Sequence, residues 1–300
     1  RHTELVPQDS NFVWPPQVLK AKERTSAEHP TDSYFRHLFA SACETANPAW
    51  AAPQLTIKAG PAATLLASCP EESLLKQLPA GCRGIMDNKV TLAESDVVFI
   101  AVKPPVVRHV LDEVRSCVDP ARHTIVSIAA GITLGSLTER LPAGTRVIRA
   151  MPNVAALALE GSTMYVSRDA SDEVDQLVRD TLGRVSPFCE RLAHEELLDA
   201  ATAIAGSGPA YVLLVLEALA DAGVRSGFTR DVALRLATQT ILGTAALCRH
   251  TGLHPAVLRD SVTSPGGTTA EGLAALEKAA VKSAFLDAVQ KALQRSIELR

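Results

Sequence analysis

The sequence predicts an α/β fold followed by an all-α region: a doubly wound parallel sheet, incomplete at its start, and then a helical domain. Three observations predict it. The short runs VVFIAV (Val97–Val102), TIVSIAAG (Thr124–Gly131) and TRVIRAMPN (Thr145–Asn153) alternate with helix-like segments. These runs are apolar on both faces, as strands covered by helices on each side are. After PFCERL (Pro187–Leu192) strand-like runs stop, and residues 195–300 read as helices.

Taken in order, residues 1–56 are interrupted by Pro7, Pro15, Pro16, Pro30, Pro48 and Pro53 and hold no periodicity, so they read as irregular. TLLAS (Thr64–Ser68) is the first strand-like run, and STMYVS (Ser162–Ser167) a later one. Helical patterns fall at Val106–Val118, Thr133–Leu141 and Asp172–Val185, giving the strand–helix alternation of a parallel sheet. The second half reads as helices from Glu195 to about Ser226, from Arg230 to about His250, a short one opened by His254–Pro255, and a long one from Thr269. Gly252 stands where a helix-ending glycine belongs, and Pro255 in a first-turn position. The domains are therefore residues 1–59, atypical; 60–193, the sheet domain; and 194–300, all-α.

The composition suits this division. Of 300 residues, 47% are hydrophobic and 21% charged, enough to bury a core. A net charge of −3 argues against a nucleic-acid or anionic-membrane surface. No uninterrupted apolar run reaches membrane-spanning length; Tyr211–Ala220 carries Glu217 in its middle. The six cysteines form no CxxC pair or zinc spacing, which predicts reduced thiols in an intracellular protein and no metal. Residues 1–60 lack an apolar signal core and carry six acidic against six basic residues, so a cytoplasmic location is expected over a mitochondrial one.

Several strand ends could carry chemistry. AVKP (Ala101–Pro104) and IAAG (Ile128–Gly131) end neighbouring strands, where doubly wound sheets bind ligands. Lys103 could face a phosphate or stand in solvent. The small residues of IAAG could admit a flat ring or only turn the chain. Asn153 could bond a ligand or cap a turn. GSGPAY (Gly206–Tyr211) predicts a kink or a break between helices, used for packing or for a site. In SPGGTT (Ser264–Thr269), Thr268 and Glu271 predict a capping box. Gly266–Gly267 before a helix N-terminus either form an anion seat suited to a carboxylate or only shape the turn, and the seat is favoured because capping does not require Pro-Gly-Gly. Glu195 and Glu196 open the helical half, either beside a substrate or as a solvated helix start. His109, His123, His194, His250 and His254 form no triad.

From residue 60 onward the chain resembles pyrroline-5-carboxylate reductase. The resemblance rests on SDVVFIAVKP, IVSIAAGIT, RVIRAMPN, ELLDAATAIAGSGPAY and above all LRDSVTSPGGTTAEGLAALE. It implies a Rossmann-like domain followed by a helical dimerisation domain, homodimers or higher homo-oligomers, and NADP or NAD as cofactor. The implied reaction reduces 1-pyrroline-5-carboxylate to L-proline. Carried over, Ser68, Cys69, Asn88, Ala101, Val102, Lys103, Pro104, Ile128, Ala129, Ala130 and Gly131 line the dinucleotide cleft. Ser264, Pro265, Gly266, Gly267, Thr268 and Thr269 grip the substrate carboxylate. Thr269 also stands near the imine nitrogen, and Ser261 and Glu195 lie beside the substrate. Little more than placement is needed, because the cofactor supplies the hydride.

One departure stands out. Family members open on a strand and a glycine-rich turn that seats the pyrophosphate. Residues 1–59 of this chain contain no glycine. The first strand, turn and helix are expected to be absent or replaced by unrelated sequence, with the first 55 or so residues an alternative or mis-joined start. Two further functions are therefore weighed: a catalytically impaired, oligomerising isoform or paralogue without the phosphate loop, and a reductase of another small acid.

Overall fold

The computed structural model describes residues 54–57, 65–69, 75, 78, 82–168 and 171–300. An eight-stranded sheet forms the first half: β1 Gln54–Ile57, β2 Leu65–Ser68, β3 Cys82–Ile85, β4 Val97–Ile100, β5 Thr124–Ser127, β6 Arg146–Pro152, β7 Ser162–Ser167 and β8 Phe188–Arg191, in spatial order β3-β2-β1-β4-β5-β6-β7-β8. β2 to β3, β4 to β5 and β5 to β6 pair in parallel, so the carboxyl ends of β2 through β6, apart from β1, share one edge. β7 runs antiparallel to β6, and β8 is parallel to β7.

The reading of residues 1–59 needs one correction. Gln54–Ile57 is a strand, and it fills the sheet position between β2 and β4 that the sequence left empty. It runs antiparallel to both neighbours, pairing Leu55 with Ala67 and with Phe99. The sheet is thereby continuous. A reversed strand, however, sends its carboxyl end to the edge opposite that of β4 and β5, so no phosphate turn can follow it at their edge. The remaining part of 1–59 lies outside the described residues.

Strand alternation builds the core in two layers. Val97 and Phe99 face one side with Val126, Ile148 and Tyr165, covered by Val174 and Val178 of α4 (Asp172–Thr181). Val98 and Ile100 face the other with Ile125 and Val147, covered by α2 (Pro104–Val114) and α3 (Leu134–Thr138). Val107, Val110, Leu111 and Val114 recur at the spacing of a single buried helical stripe. The short α1 (Asn88–Ala93) is capped by Asp87, whose carboxylate accepts from the Lys89 and Val90 amides at 2.8 and 3.1 Å.

The helical half opens with α5 (Leu197–Ala201), whose Leu198 is buried in the second layer and so docks the two halves together. A π-helical turn, Thr202–Gly206, then breaks the helix before α6 (Gly208–Arg225). This is the interruption that GSGPAY predicts. α6 packs antiparallel in sequence order against α7 (Arg230–Thr251) through small residues: a Cβ on Gly223 would stand 3.0 Å from that of Ala233. Gly252 ends α7 in the left-handed conformation at φ 65°, and Pro255 begins α8 (Pro255–Ser261), both as the sequence indicates. The long helix read from Thr269 is two helices, α9 (Thr268–Lys278) and α10 (Val281–Glu298), broken at Ala280 with φ 52°. Alanine rarely adopts that conformation, so nothing in the sequence marks the break.

Leu197–Arg225 is long and apolar enough to cross a membrane by length and composition alone, although Asp199, Glu217 and Asp221 interrupt its apolar run. Its apolar side chains are uncovered in one copy: Leu213 is 61% exposed and Leu214 66%, with Leu236 and Leu242 of α7 likewise exposed.

Candidate active site

On the shared edge of the sheet, Ser68 ends β2 and donates to Asn88 Oδ1 at 2.6 Å; Asn88 Nδ2 donates in turn to Glu113 Oε2 at 2.8 Å. A carboxylate only accepts, so Glu113 fixes which way the Asn88 amide points. Ser68 and Cys69 are both buried. The expected residues Ser68 and Asn88 are thus brought into contact, with Glu113 as a partner that the sequence did not flag.

Next along this edge, the Ile128 amide donates to the Ile100 carbonyl at 3.1 Å, extending the β4–β5 ladder just past the strand ends. This sets Ala101–Pro104 beside Ile128–Gly131. Lys103 is the N-cap of α2, with Pro104 in its first turn. Ala101, Val102 and Ala129 are buried, leaving small side chains under the cleft. Gly131 has φ 73°, a backbone that L side chains rarely adopt. Asn153, the third strand end, is used structurally: it donates to the Ala205 carbonyl at 3.1 Å and accepts from the Ser162 amide at 3.0 Å, tying β6 to the π turn.

Glu195 stands at the junction. Its Oε1 accepts from the Leu134 amide at the start of α3, 2.8 Å away, and pairs with Arg149 Nη1 at 2.7 Å. Arg149 is 5% exposed, deep in β6. A guanidinium so buried needs a carboxylate partner, and Glu195 supplies it across the domain boundary. The solvated-helix-start reading of Glu195 therefore does not describe it. A charged residue inside RVIRAMPN was the signal available in the sequence.

The turn Ser264–Thr269 keeps its hydrogen bonds local. Gly267 donates to the Ser264 carbonyl at 3.0 Å, Ser261 Oγ to Leu258 and Thr263 Oγ1 to Arg259, both at 2.7 Å. The predicted capping box is not formed: the N-cap is Gly267, without a side-chain cap bond, and Thr268 is already helical. The first intrahelical bond runs from Glu271 N to Gly267 O, which leaves the Thr268, Thr269 and Ala270 amides without intrahelical acceptors. Gly266 is left-handed at φ 69°, and a Cβ on Gly267 would collide with Ser264 Oγ. The glycines thus build an open array of N–H donors. Ser261, Ser264, Pro265, Gly266 and Thr268 are exposed, and no hydrogen bond links them to the strand ends within one copy.

Residues 195–299 match the family model described as pyrroline-5-carboxylate reductase dimerisation, so the half that carries this turn is a known unit. A curated pyrroline-5-carboxylate reductase of Methanosarcina acetivorans is 40% identical over 251 residues, 82% of this chain and 92% of that protein. The chain belongs to the pyrroline-5-carboxylate reductase family. Residues 54–131 match the model described as NADP oxidoreductase, coenzyme F420-dependent. Among solved structures, a pyrroline-5-carboxylate reductase from Coxiella burnetii superposes with a TM-score of 0.73 at 29% identity, covering 78% of this chain and 87% of that one. One from Plasmodium falciparum, described with NADP bound, gives 0.70 at 27% identity over 91% and 95%.

A dinucleotide fits part of this family member's cleft. Ala101 and Ala129 put small side chains at the strand ends, whereas the Ser68 hydroxyl is buried and already given to Asn88, and the Leu299 carbonyl lies against Gly131. A pyrophosphate turn is not among the described residues. No trio of His, Cys, Asp or Glu suited to a metal occurs among them either. Burial raises the Cys189 thiol to about 11 and holds the Tyr165 hydroxyl well above its usual range.

Proposed function

We infer that this chain reduces 1-pyrroline-5-carboxylate to L-proline with a hydride from NAD(P)H, completing proline synthesis. The observation that carries the reading is the uncapped start of α9. Backbone amides of Thr268, Thr269 and Ala270, at the positive end of a helix dipole, match a small carboxylate. When bound, the dinucleotide supplies the hydride.

The protein's own contribution is placement. Gly266 and Gly267 hold the amides open, and Ser264 and Thr268 border the seat. Thr269, in the first turn of α9, is positioned to offer its hydroxyl to the imine nitrogen once the carboxylate is fixed. At the sheet edge, Ala101–Pro104 and Ile128–Gly131 form the wall along which the reacting ring lies. Holding two reactants in attack geometry is worth on the order of 7–11 kcal/mol of barrier, so no strong acid or nucleophile is required.

Within one copy no hydrogen bond among the described residues joins the carboxylate seat to the strand ends. We place the missing contact in a homodimer docked through the exposed apolar face of α6 and α7, which brings one copy's turn to the other's cleft. The cytoplasm is the proposed compartment. Coupled assay of NADPH consumption and proline formation tests the reading.

A second reading is favoured by β1. Its reversed direction and the absence of glycine from residues 1–59 suit an oligomerising form with weakened dinucleotide binding. Titration calorimetry with NADPH, beside light scattering for assembly, separates the two: assembly without binding supports the impaired form.

A further inference from the structure

We propose that Ser296–Arg300 is a strap that sets the turn Ile128–Gly131, and that Asp199 and Arg300 are positioning residues acting through it. The proposal rests on the reading that this turn faces the reacting ring.

Asp199 lies on α5 and is 1% exposed. A carboxylate that deeply buried must be paired, and both its oxygens are. Oδ1 accepts from Ser296 Oγ at 2.9 Å, and Oδ2 pairs with Arg300 Nη2. Both partners come from the end of α10, which packs along α5 and the π turn. The tightened last turn, with Leu299 N on Ser296 O and Arg300 N on Ile297 O at 3.3 Å each, fixes the residue between them. Leu299 presents its carbonyl to Gly131: a Cβ built on Gly131 would stand 2.6 Å from that oxygen, closer than real contacts allow.

Gly131 is therefore confined twice, by its left-handed backbone and by the strap above it. On the other side of the same turn, Glu195 holds the Leu134 amide. Two carboxylates one helical turn apart, Glu195 and Asp199, clamp the turn from both ends. Glu195 grips it directly, whereas Asp199 does so through α10. Neither Asp199 nor Arg300 touches the cleft itself, so their effect passes through the backbone of Gly131.

The test combines exchange and kinetics on the full chain. In Arg300→Ala, hydrogen exchange of residues 128–134 is expected to rise about tenfold while that of β4 and β5 stays unchanged. The specificity constant for NADPH should fall about tenfold with the pyrroline-5-carboxylate KM held, and Arg300→Lys should recover part of it. Gly131→Ala should lose less in the Arg300→Ala background than in the unmodified chain, because the Leu299 carbonyl is no longer pinned. Unchanged exchange at 128–134 in Arg300→Ala overturns the strap, and strictly additive losses in the double variant do so too. An unmodified chain that folds yet turns over no substrate defeats the reductase reading instead, and exchange still decides the strap.

Discussion

One carboxylate oxygen of Glu195 lies 2.7 Å from Arg149 Nη1 and 2.8 Å from the Leu134 amide, joining the helical half to a buried strand and to a helix start at once. Glu195→Ala leaves a buried guanidinium and a helix-start amide unpaired together. A loss of about 3 kcal/mol of stability is expected, at the lower end for broken buried pairs because Glu195 is partly exposed. Urea unfolding measures it. Glu195→Gln retains an acceptor for Leu134 and should lose less. If Glu195 served only as a substrate contact, KM would move and the unfolding midpoint would not.

The turn proposed to seat the substrate makes a second prediction. Gly267→Ala pushes a methyl group into Ser264 Oγ and to 3.1 Å from the Ser264 carbonyl, shifting the start of α9. The pyrroline-5-carboxylate KM should rise about tenfold or more, since a displacement near 1 Å is enough to do so. NADPH affinity by calorimetry should stay as it was.

The division into a strand–helix half and an all-α half was legible in the sequence, because buried strands and helices carry different apolar periods. The helix start at PGGTT was legible, as were Gly252 and Pro255 as a helix end and a helix beginning. β3 (Cys82–Ile85) was missed because it is a short, half-exposed edge strand without an apolar run. The reversed β1 could not be read either, since four residues with two apolar positions fit either strand direction. The capping box misled for a physical reason: the sequence pattern is present, but Gly267 occupies the cap, so Thr268 lies one residue inside the helix. Arg149, Glu113 and Asp199 escaped notice because each acts through a partner far away in sequence.

Exposed Leu213 and Leu214 on α6 should be covered by a second copy. Burying a leucine contributes about 1.5–3 kcal/mol, and a carboxylate there reverses the sign. Leu213→Glu is expected to yield monomers by light scattering. If the turn of one copy serves the cleft of the other, turnover falls in step with assembly. Active monomers would place the whole site within a single chain.

His123 predicts an acid-sensitive fold. It is buried, and its Nδ1 accepts from the Asp119 amide at 2.8 Å. Burial first, and the neighbouring Arg122 second, hold its proton affinity below the usual histidine value. On unfolding it returns to about 6.5 and takes up a proton more readily than in the native state. The stability it contributes is complete above that value and is lost as pH falls below it toward the lowered folded one. The urea midpoint should drop between about pH 7.5 and pH 5.5, and His123→Gln should flatten that slope.

The central claim, a pyrroline-5-carboxylate reductase whose carboxylate seat is the uncapped start of α9, is tested most directly by one assay of the full chain. NADPH and NADH oxidation are followed as 1-pyrroline-5-carboxylate is added, with proline measured at the end. The account predicts substrate-dependent oxidation with one proline formed per dinucleotide consumed, and loss of that activity in Gly267→Ala at low substrate. A folded, assembled chain that oxidises neither dinucleotide at saturating substrate would contradict it.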